Sequence, residues 1–141
     1  MATCISKSPE ATFALGVAWA QEARPGWVIG LDGDLGAGKT QLAKGLAHGL
    51  GISGLITSPT FTLLHEYHGG RLLLCHLDFY RLENDAQILS AGLGPYLAPD
   101  GVTLIEWMER WQGPRPTRYR HARLSEVSPT ERRIEYEDFG D

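Results

Sequence analysis

The sequence predicts an α/β fold: a mixed, mostly parallel central sheet flanked by helices, with one β-hairpin. Three observations predict it. The apolar run WVIGLD (Trp27 to Asp32) is followed by GDLGAGKT (Gly33 to Thr40) and then by TQLAKGLAHGLG, whose apolar residues recur at helical spacing. Further along, VTLIEW (Val102 to Trp107) is a second buried-strand pattern. Between them, FTLLHEY and RLLLCHLDFY are joined by His68, Gly69 and Gly70, a hairpin signal. With 141 residues, 43% of them hydrophobic, one domain spanning 1–141 with a real core is expected.

The elements follow in order. Ser8-Pro9-Glu10 starts a helix, Ser8 capping and Pro9 in the first turn. Ala11, Leu15, Ala18 and Trp19 form its buried stripe, which ends near Arg24-Pro25-Gly26. After the strand at 27–32 comes a helix carrying Leu42, Ala43, Leu46, Ala47 and Leu50, stopped by Gly51. Ser58-Pro59 breaks the chain before strands at Phe61–Tyr67 and Arg71–Tyr80. Asn84 or Asp85 caps a short helix running to Leu93 and stopped by Gly94-Pro95. Beyond VTLIEW, YRHARLSEV and RRIEYEDF read as two closing strands about a turn at Ser128-Pro129. No internal repeat, low-complexity segment or linker interrupts the series.

Composition excludes several classes. Charged residues make up 21%, and no apolar run approaches the roughly 20 residues of a membrane span. MATCISKSPE lacks the apolar stretch of a secretory signal. Cys4 and Cys75 are too few and too unpatterned for a disulfide framework or a metal site, and Cys75 within LLLCHL reads as a small core residue. A reduced, cytoplasmic setting without membrane contact is therefore expected. Net charge is −4, which argues against bulk nucleic-acid binding. Arg115, Arg118, Arg120, His121 and Arg123 cluster within Gly113–Arg123. Such a stretch is either a solvated connection or a contact patch for RNA or an acidic partner surface.

The chemistry begins at GDLGAGKT. Gly33, Gly38, Lys39 and Thr40 satisfy G-x-x-x-x-G-K-[ST], which this composition would produce by chance with a probability of roughly 0.005. Glycines let successive backbone N–H groups curl around phosphate oxygens without a Cβ in the way. A helix starting at Lys39 adds the positive end of its dipole, Lys39 a mobile cation, and Thr40 a hydroxyl for magnesium. The loop is read as nucleotide-binding. Two carboxylates end apolar runs, Asp78 after LLLCHL and Glu106 after VTLI, and either suits the acid behind the metal; spacing does not choose between them. Ser58 and Thr60 flank a proline, as a switch segment facing a γ-phosphate or as a hydroxyl-rich turn. His65 and His76 read as sheet histidines rather than a catalytic pair, and Trp107 as core or site wall.

Taken together, GDLGAGKT, SPTFTLLHEY, HLDFYRL and LIEW, in this order and spacing, resemble the bacterial TsaE family. These are small P-loop ATPases required for threonylcarbamoyladenosine modification of tRNA. The likeness runs from about Ala11 to Trp107. It implies a P-loop NTPase-like domain in which Gly36, Ala37, Gly38, Lys39, Thr40 and Gln41 wrap the phosphates, Thr40 also ligating magnesium. Glu106 matches the acid associated with the metal, Asp78 the acid of an HxDxYR motif, and Ser58 and Thr60 a switch-like segment. Thr12 matches a position near the nucleotide base, and Arg133 a late position near the nucleotide. Met108 stands where a proline is common. The implied ligands are ATP and Mg2+; the implied partners are TsaD and TsaB, with tRNA contacted indirectly and an ATPase weak without them. Two other readings use the same loop: a small-molecule kinase, for which the arginines at 115 to 123 would form a lid, and a binding switch that holds nucleotide without turnover.

Overall fold

Mostly apolar runs rich in Val, Ile and Leu build the middle of the sheet, and more polar strands flank them. The computed structural model describes residues 1–33, 38–57, 59 and 61–140. In chain order these form β1 (Ala2–Ser6), α1 (Pro9–Glu22), β2 (Trp27–Asp32), α2 (Lys39–Gly49), β3 (Leu64–Tyr67), β4 (Leu74–Asp78), α3 (Asp85–Ser90), β5 (Val102–Glu106), β6 (Arg118–Glu126) and β7 (Arg132–Phe139). The sheet order is β1-β7-β6-β2-β5-β4-β3. Its four inner strands, β6-β2-β5-β4, run parallel; β7, β1 and β3 add antiparallel edges.

Both faces of β2, β4 and β5 are covered, which is why these strands read as mostly apolar runs. On one face Ile29, Leu31, Leu104 and Leu124 pack under Trp19 of α1 and Leu42, Leu46 and Leu50 around α2. On the other, Val28, Leu77 and Ile105 meet Phe79, Ile88, Leu93 and Met108. The α1–α2 crossing is unusually close because glycines line it. A Cβ at Gly45 would fall on the Phe13 carbonyl, and one at Gly16 would fall on the Leu42 carbonyl. This contact packs α2 closely against α1.

Local signals behave as expected at the helix starts. The Ser8 hydroxyl accepts from Ala11 N–H at 3.0 Å, and Asn84 accepts from Gln87 N–H at 3.0 Å. Elsewhere tertiary structure prevails. β1 lies in a segment that carries no strand signal; it pairs with β7, near the other end of the sequence. β3 starts at Leu64 rather than Phe61 because Leu63 adopts φ 68° and its N–H donates to the Pro59 carbonyl. β4 spans Leu74–Asp78 instead of the full run from Arg71 to Tyr80. α3 ends at Ser90, short of Leu93, and the stop expected at Gly94 is itself a short 3-10 turn, Gly94–Leu97. Trp107 leaves β5 at φ 59° and turns the chain into a second 3-10 turn, Met108–Arg110.

The arginine-rich stretch is not a solvated connection: from Arg118 it is strand β6, and three of its arginines are held by the fold. Arg120 is buried against Glu22 and Asp138, Arg118 donates to the Pro25 carbonyl, and Arg115 lies 3.9 Å over the Phe139 ring. Among the described residues, no helix is long and apolar enough to cross a membrane.

Candidate functional site

Parallel pairing brings the carboxyl ends of β2, β5 and β4 together, with Leu31 opposite Glu106 and Glu106 opposite Asp78. Open α/β sheets bind ligands at this edge. β2 passes through Asp32 to Gly33, and the chain enters α2 through Gly38, whose φ of 98° is a left-handed conformation that glycine adopts without strain.

Lys39, the first residue of α2, folds its side chain back over the entry. Its Nζ donates to the Gly33 carbonyl at 2.7 Å, stands 3.7 Å from Glu106 Oε1 and lies 5.2 Å over the Trp107 ring. Both Lys39 and Glu106 are buried. On its other oxygen, Glu106 Oε2 meets His76 Nε2 at 2.7 Å. Asp78 Oδ1 accepts from the Tyr80 N–H at 2.8 Å, fixing the turn after β4, and the Tyr80 ring packs on Trp107 with centroids 5.1 Å apart.

These groups open onto a cavity of about 440 Å³ lined by Pro9, Thr12, Gly38, Lys39, Thr40, Gln41, Asp78, Tyr80, Glu106, Trp107, Pro129, Thr130 and Arg132. Its volume lies within the range of roughly 300–1,000 Å³ usual for small-ligand sites. The start of α1 and the β6–β7 turn supply the second wall. There the Thr12 hydroxyl is 2.7 Å from that of Ser6, a buried β1 residue with no sequence signal for such a role. Arg132 Nη1 donates to the carbonyls of Ser128 and Glu131 at 2.9 and 3.0 Å and so holds the turn that lines the cavity.

The structure thus gathers Thr12, Gly38, Lys39, Thr40, Gln41, Asp78 and Glu106 around one space; Gly33 contributes the carbonyl that receives Lys39. Arg133, expected near the ligand, is instead exposed and does not line the cavity; strand alternation turns it to the face opposite its neighbour Arg132. Gly36, Ala37, Ser58 and Thr60 lie outside the described residues. Trp107 is a site wall as well as a packing residue. Among the described residues, no three or more His, Cys, Asp or Glu side chains are grouped to hold a metal.

Beside the cavity, a second set of titratable groups surrounds Asp32 at the end of β2. Asp32 Oδ2 pairs with His121 Nε2 on β6, and that hydrogen bond raises the imidazole above its ordinary range. Burial, then the negative charge of Asp32, pushes Glu109 above the usual carboxylate range. The partners are 89 residues apart in sequence, too far for any local pattern to link them.

A parallel strand core, a glycine entering a helix at its carboxyl edge, and a buried lysine beside Glu106, with Asp78 next to it in register, define a small α/β domain with a cavity at that edge. The family model described as "Threonylcarbamoyl adenosine biosynthesis protein TsaE" matches residues 6–134, and the chain belongs to this family. It is 49% identical over 100 residues to the tRNA threonylcarbamoyladenosine biosynthesis protein TsaE of Bacillus subtilis, a match covering 71% of this chain and 62% of that protein. The TsaE of Mycobacterium bovis is 38% identical over 134 residues, covering 89% of this chain and 79% of the relative. The chain thus spans under two thirds of the Bacillus relative's length and more of the mycobacterial one. Among solved structures, the crystal structure of YdiB from Bacillus subtilis superposes with a TM-score of 0.76 at 34% identity, covering 99% of this chain and 86% of the other.

Proposed function

We propose that the cavity takes ATP with Mg2+ and that the chain hydrolyses it in the cytoplasm, as an accessory ATPase of tRNA threonylcarbamoyladenosine biosynthesis working with TsaD and TsaB. Family membership supports the pathway. One observation carries the chemistry: among the described residues, buried Lys39 has one carbonyl partner and a carboxylate too distant for a hydrogen bond, and its ammonium faces a cavity shared with Thr40, Asp78 and Glu106. A cation so placed has donor capacity to offer a phosphate.

The residues divide the work. Gly38 and the first turn of α2 present backbone N–H groups and the positive helix end to phosphate oxygens. Lys39 moves from Glu106 to the β- and γ-phosphates. The Thr40 hydroxyl and the Asp78 and Glu106 carboxylates are hard oxygen donors, a set that suits Mg2+, which keeps several waters and takes few protein ligands. When bound, Mg2+ would neutralise charge on the transferring phosphoryl group. Glu106 is also placed to orient the attacking water. The wall of Pro9, Thr12, Pro129, Thr130 and Arg132 is left for the nucleoside. Of the four arginines a kinase would use as a lid, Arg115, Arg118 and Arg120 are held within the fold by Phe139, Pro25, Glu22 and Asp138, which favours hydrolysis over transfer to a small acceptor.

The test is Mg2+-dependent ATP hydrolysis, with and without the TsaD–TsaB complex, using Lys39→Ala as the blank. Turnover above the blank that rises when the partners are added is the expected result. Turnover indistinguishable from the blank in both conditions would remove the hydrolase reading.

A further inference from the structure

The sheet places a histidine directly behind the carboxylate that faces the cavity. Parallel pairing sets His76 opposite Leu104 and Asp78 opposite Glu106, so His76 on β4 is a diagonal neighbour of Glu106 on β5 and shares its face of the sheet. His76 is 1% exposed and takes no part in lining the cavity. Its Nε2 is 2.7 Å from Glu106 Oε2, while its buried Nδ1 has no hydrogen-bond partner among the described residues.

These two facts select a tautomer. An imidazole protonated at Nε2 donates to the carboxylate and leaves only a bare acceptor at Nδ1. The other neutral tautomer would set two acceptors against each other and bury an unpaired N–H donor, the costlier arrangement. The Glu106 oxygens are therefore unequal. Oε2 is held from behind; Oε1 points toward Lys39, 3.7 Å away, and the cavity. Without the histidine, Oε2 loses the donor behind it, and the carboxylate can turn toward the lysine ammonium 3.7 Å from Oε1.

We infer that His76 is a positioning residue, which donates from Nε2 to Glu106 Oε2 and so keeps the other oxygen aimed at the ligand. This rests on the reading of the cavity as a nucleotide-hydrolysing site. His76 acts only through Glu106 and touches neither nucleotide nor water. Its loss should therefore appear in turnover more than in nucleotide binding. Misplacing a reacting group by about 1 Å can cost on the order of 100-fold. Glutamine, which carries an amide N–H at a reach similar to Nε2, should restore much of what leucine loses.

The experiment measures kcat and KM for Mg2+-dependent ATP hydrolysis in the full chain with TsaD and TsaB, for the wild type, His76→Leu and His76→Gln. Alongside it, 15N–1H correlation spectra of the imidazoles are recorded without nucleotide, with Glu106→Ala as the reference. The expected pattern is a kcat lowered by roughly 30-fold or more in His76→Leu with KM within about threefold, and a kcat within about threefold of wild type in His76→Gln. The spectra should show His76 protonated at Nε2, with that signal shifted in Glu106→Ala. Equal losses in the two variants, an unchanged kcat in His76→Leu, or a His76 proton on Nδ1 would each overturn the inference. Should His76→Leu fail to fold, His76→Gln and the spectra still decide. A wild type without turnover would count against the hydrolase reading, while the spectra, which need no turnover, would still report whether His76 holds Glu106.

Discussion

Arg120 and Lys39 are cations of equal seclusion, with side chains 4% and 6% exposed, but their surroundings differ sharply. Arg120 makes two hydrogen bonds to Asp138 at 2.6 and 2.9 Å and two to Glu22 at 3.0 and 3.1 Å. Three rings, of Trp19, Trp27 and Tyr136, lie 4.4 to 5.1 Å from its guanidinium. Burial alone would pull the guanidinium toward neutrality, but Asp138 and Glu22 more than offset it. Among the described residues, Lys39 has one carbonyl, one distant carboxylate and the face of one ring. A guanidinium with planar forks can be saturated by two carboxylates, whereas an ammonium with three donors and one short partner cannot. Burial therefore does not separate a structural cation from a functional one; the number of short partners does.

The comparison can be broken by experiment. Arg120→Ala should cost about 3 kcal/mol of stability, at the low end for a broken buried pair because Glu22 and Asp138 are half exposed and rehydrate. Thermal unfolding should show Tm lower by about 10 °C, with nucleotide affinity unchanged. A Tm within a few degrees of wild type would mean the cluster is ornamental. Glu106→Gln should keep the fold and nucleotide affinity but lower turnover by on the order of 100-fold, equivalent to about 2.7 kcal/mol. If turnover survives, Asp78 would carry the role assigned to Glu106.

The smallest expected effect separates the two ends by pH. His121, 40% exposed, titrates above its ordinary value near 6.5 because of its hydrogen bond to Asp32, with burial opposing and Arg123 and Glu109 nearby. A raised folded pKa gives stability that is full below about pH 6.5 and lost as pH rises through the folded value. Glu109 has the same sign. At the Arg120 end, Asp138 is held below 3.8 by Arg120, so its stability is present above that value and lost as pH falls through the lowered one. Denaturant titrations should show stability falling on the alkaline side of pH 6.5 in the wild type and a flatter profile in His121→Gln. An unchanged fall in the variant would place the cause elsewhere.

What the sequence reveals here is what is local. The strand–glycine–helix unit, the Ser8 cap and the turn at Ser128-Pro129 each depend on residues within a few positions, and all are where the pattern puts them. β1 is invisible in the sequence because ATCIS is a short edge strand whose partner, β7, lies some 130 positions away. Asp78 and Glu106 could be singled out at strand ends, but only parallel register sets them side by side. His76 reads correctly as a sheet histidine, yet its partner is 30 residues on and on another strand. Arg132 and Arg133 differ in role by one step of alternation, which depends on where β7 begins. Arg120 offers no sign of being buried, since its partners come from α1 and β7.

The most direct measurement is isothermal titration of Mg2+-ATP into the wild type and Lys39→Ala, each with its melting temperature. Saturable binding by the wild type is predicted. The variant should bind at least about 100-fold more weakly, a loss of about 2.7 kcal/mol, with Tm changed by no more than a few degrees. Equal affinity in the two proteins would contradict the account, because the under-partnered lysine would then have no part in holding the ligand.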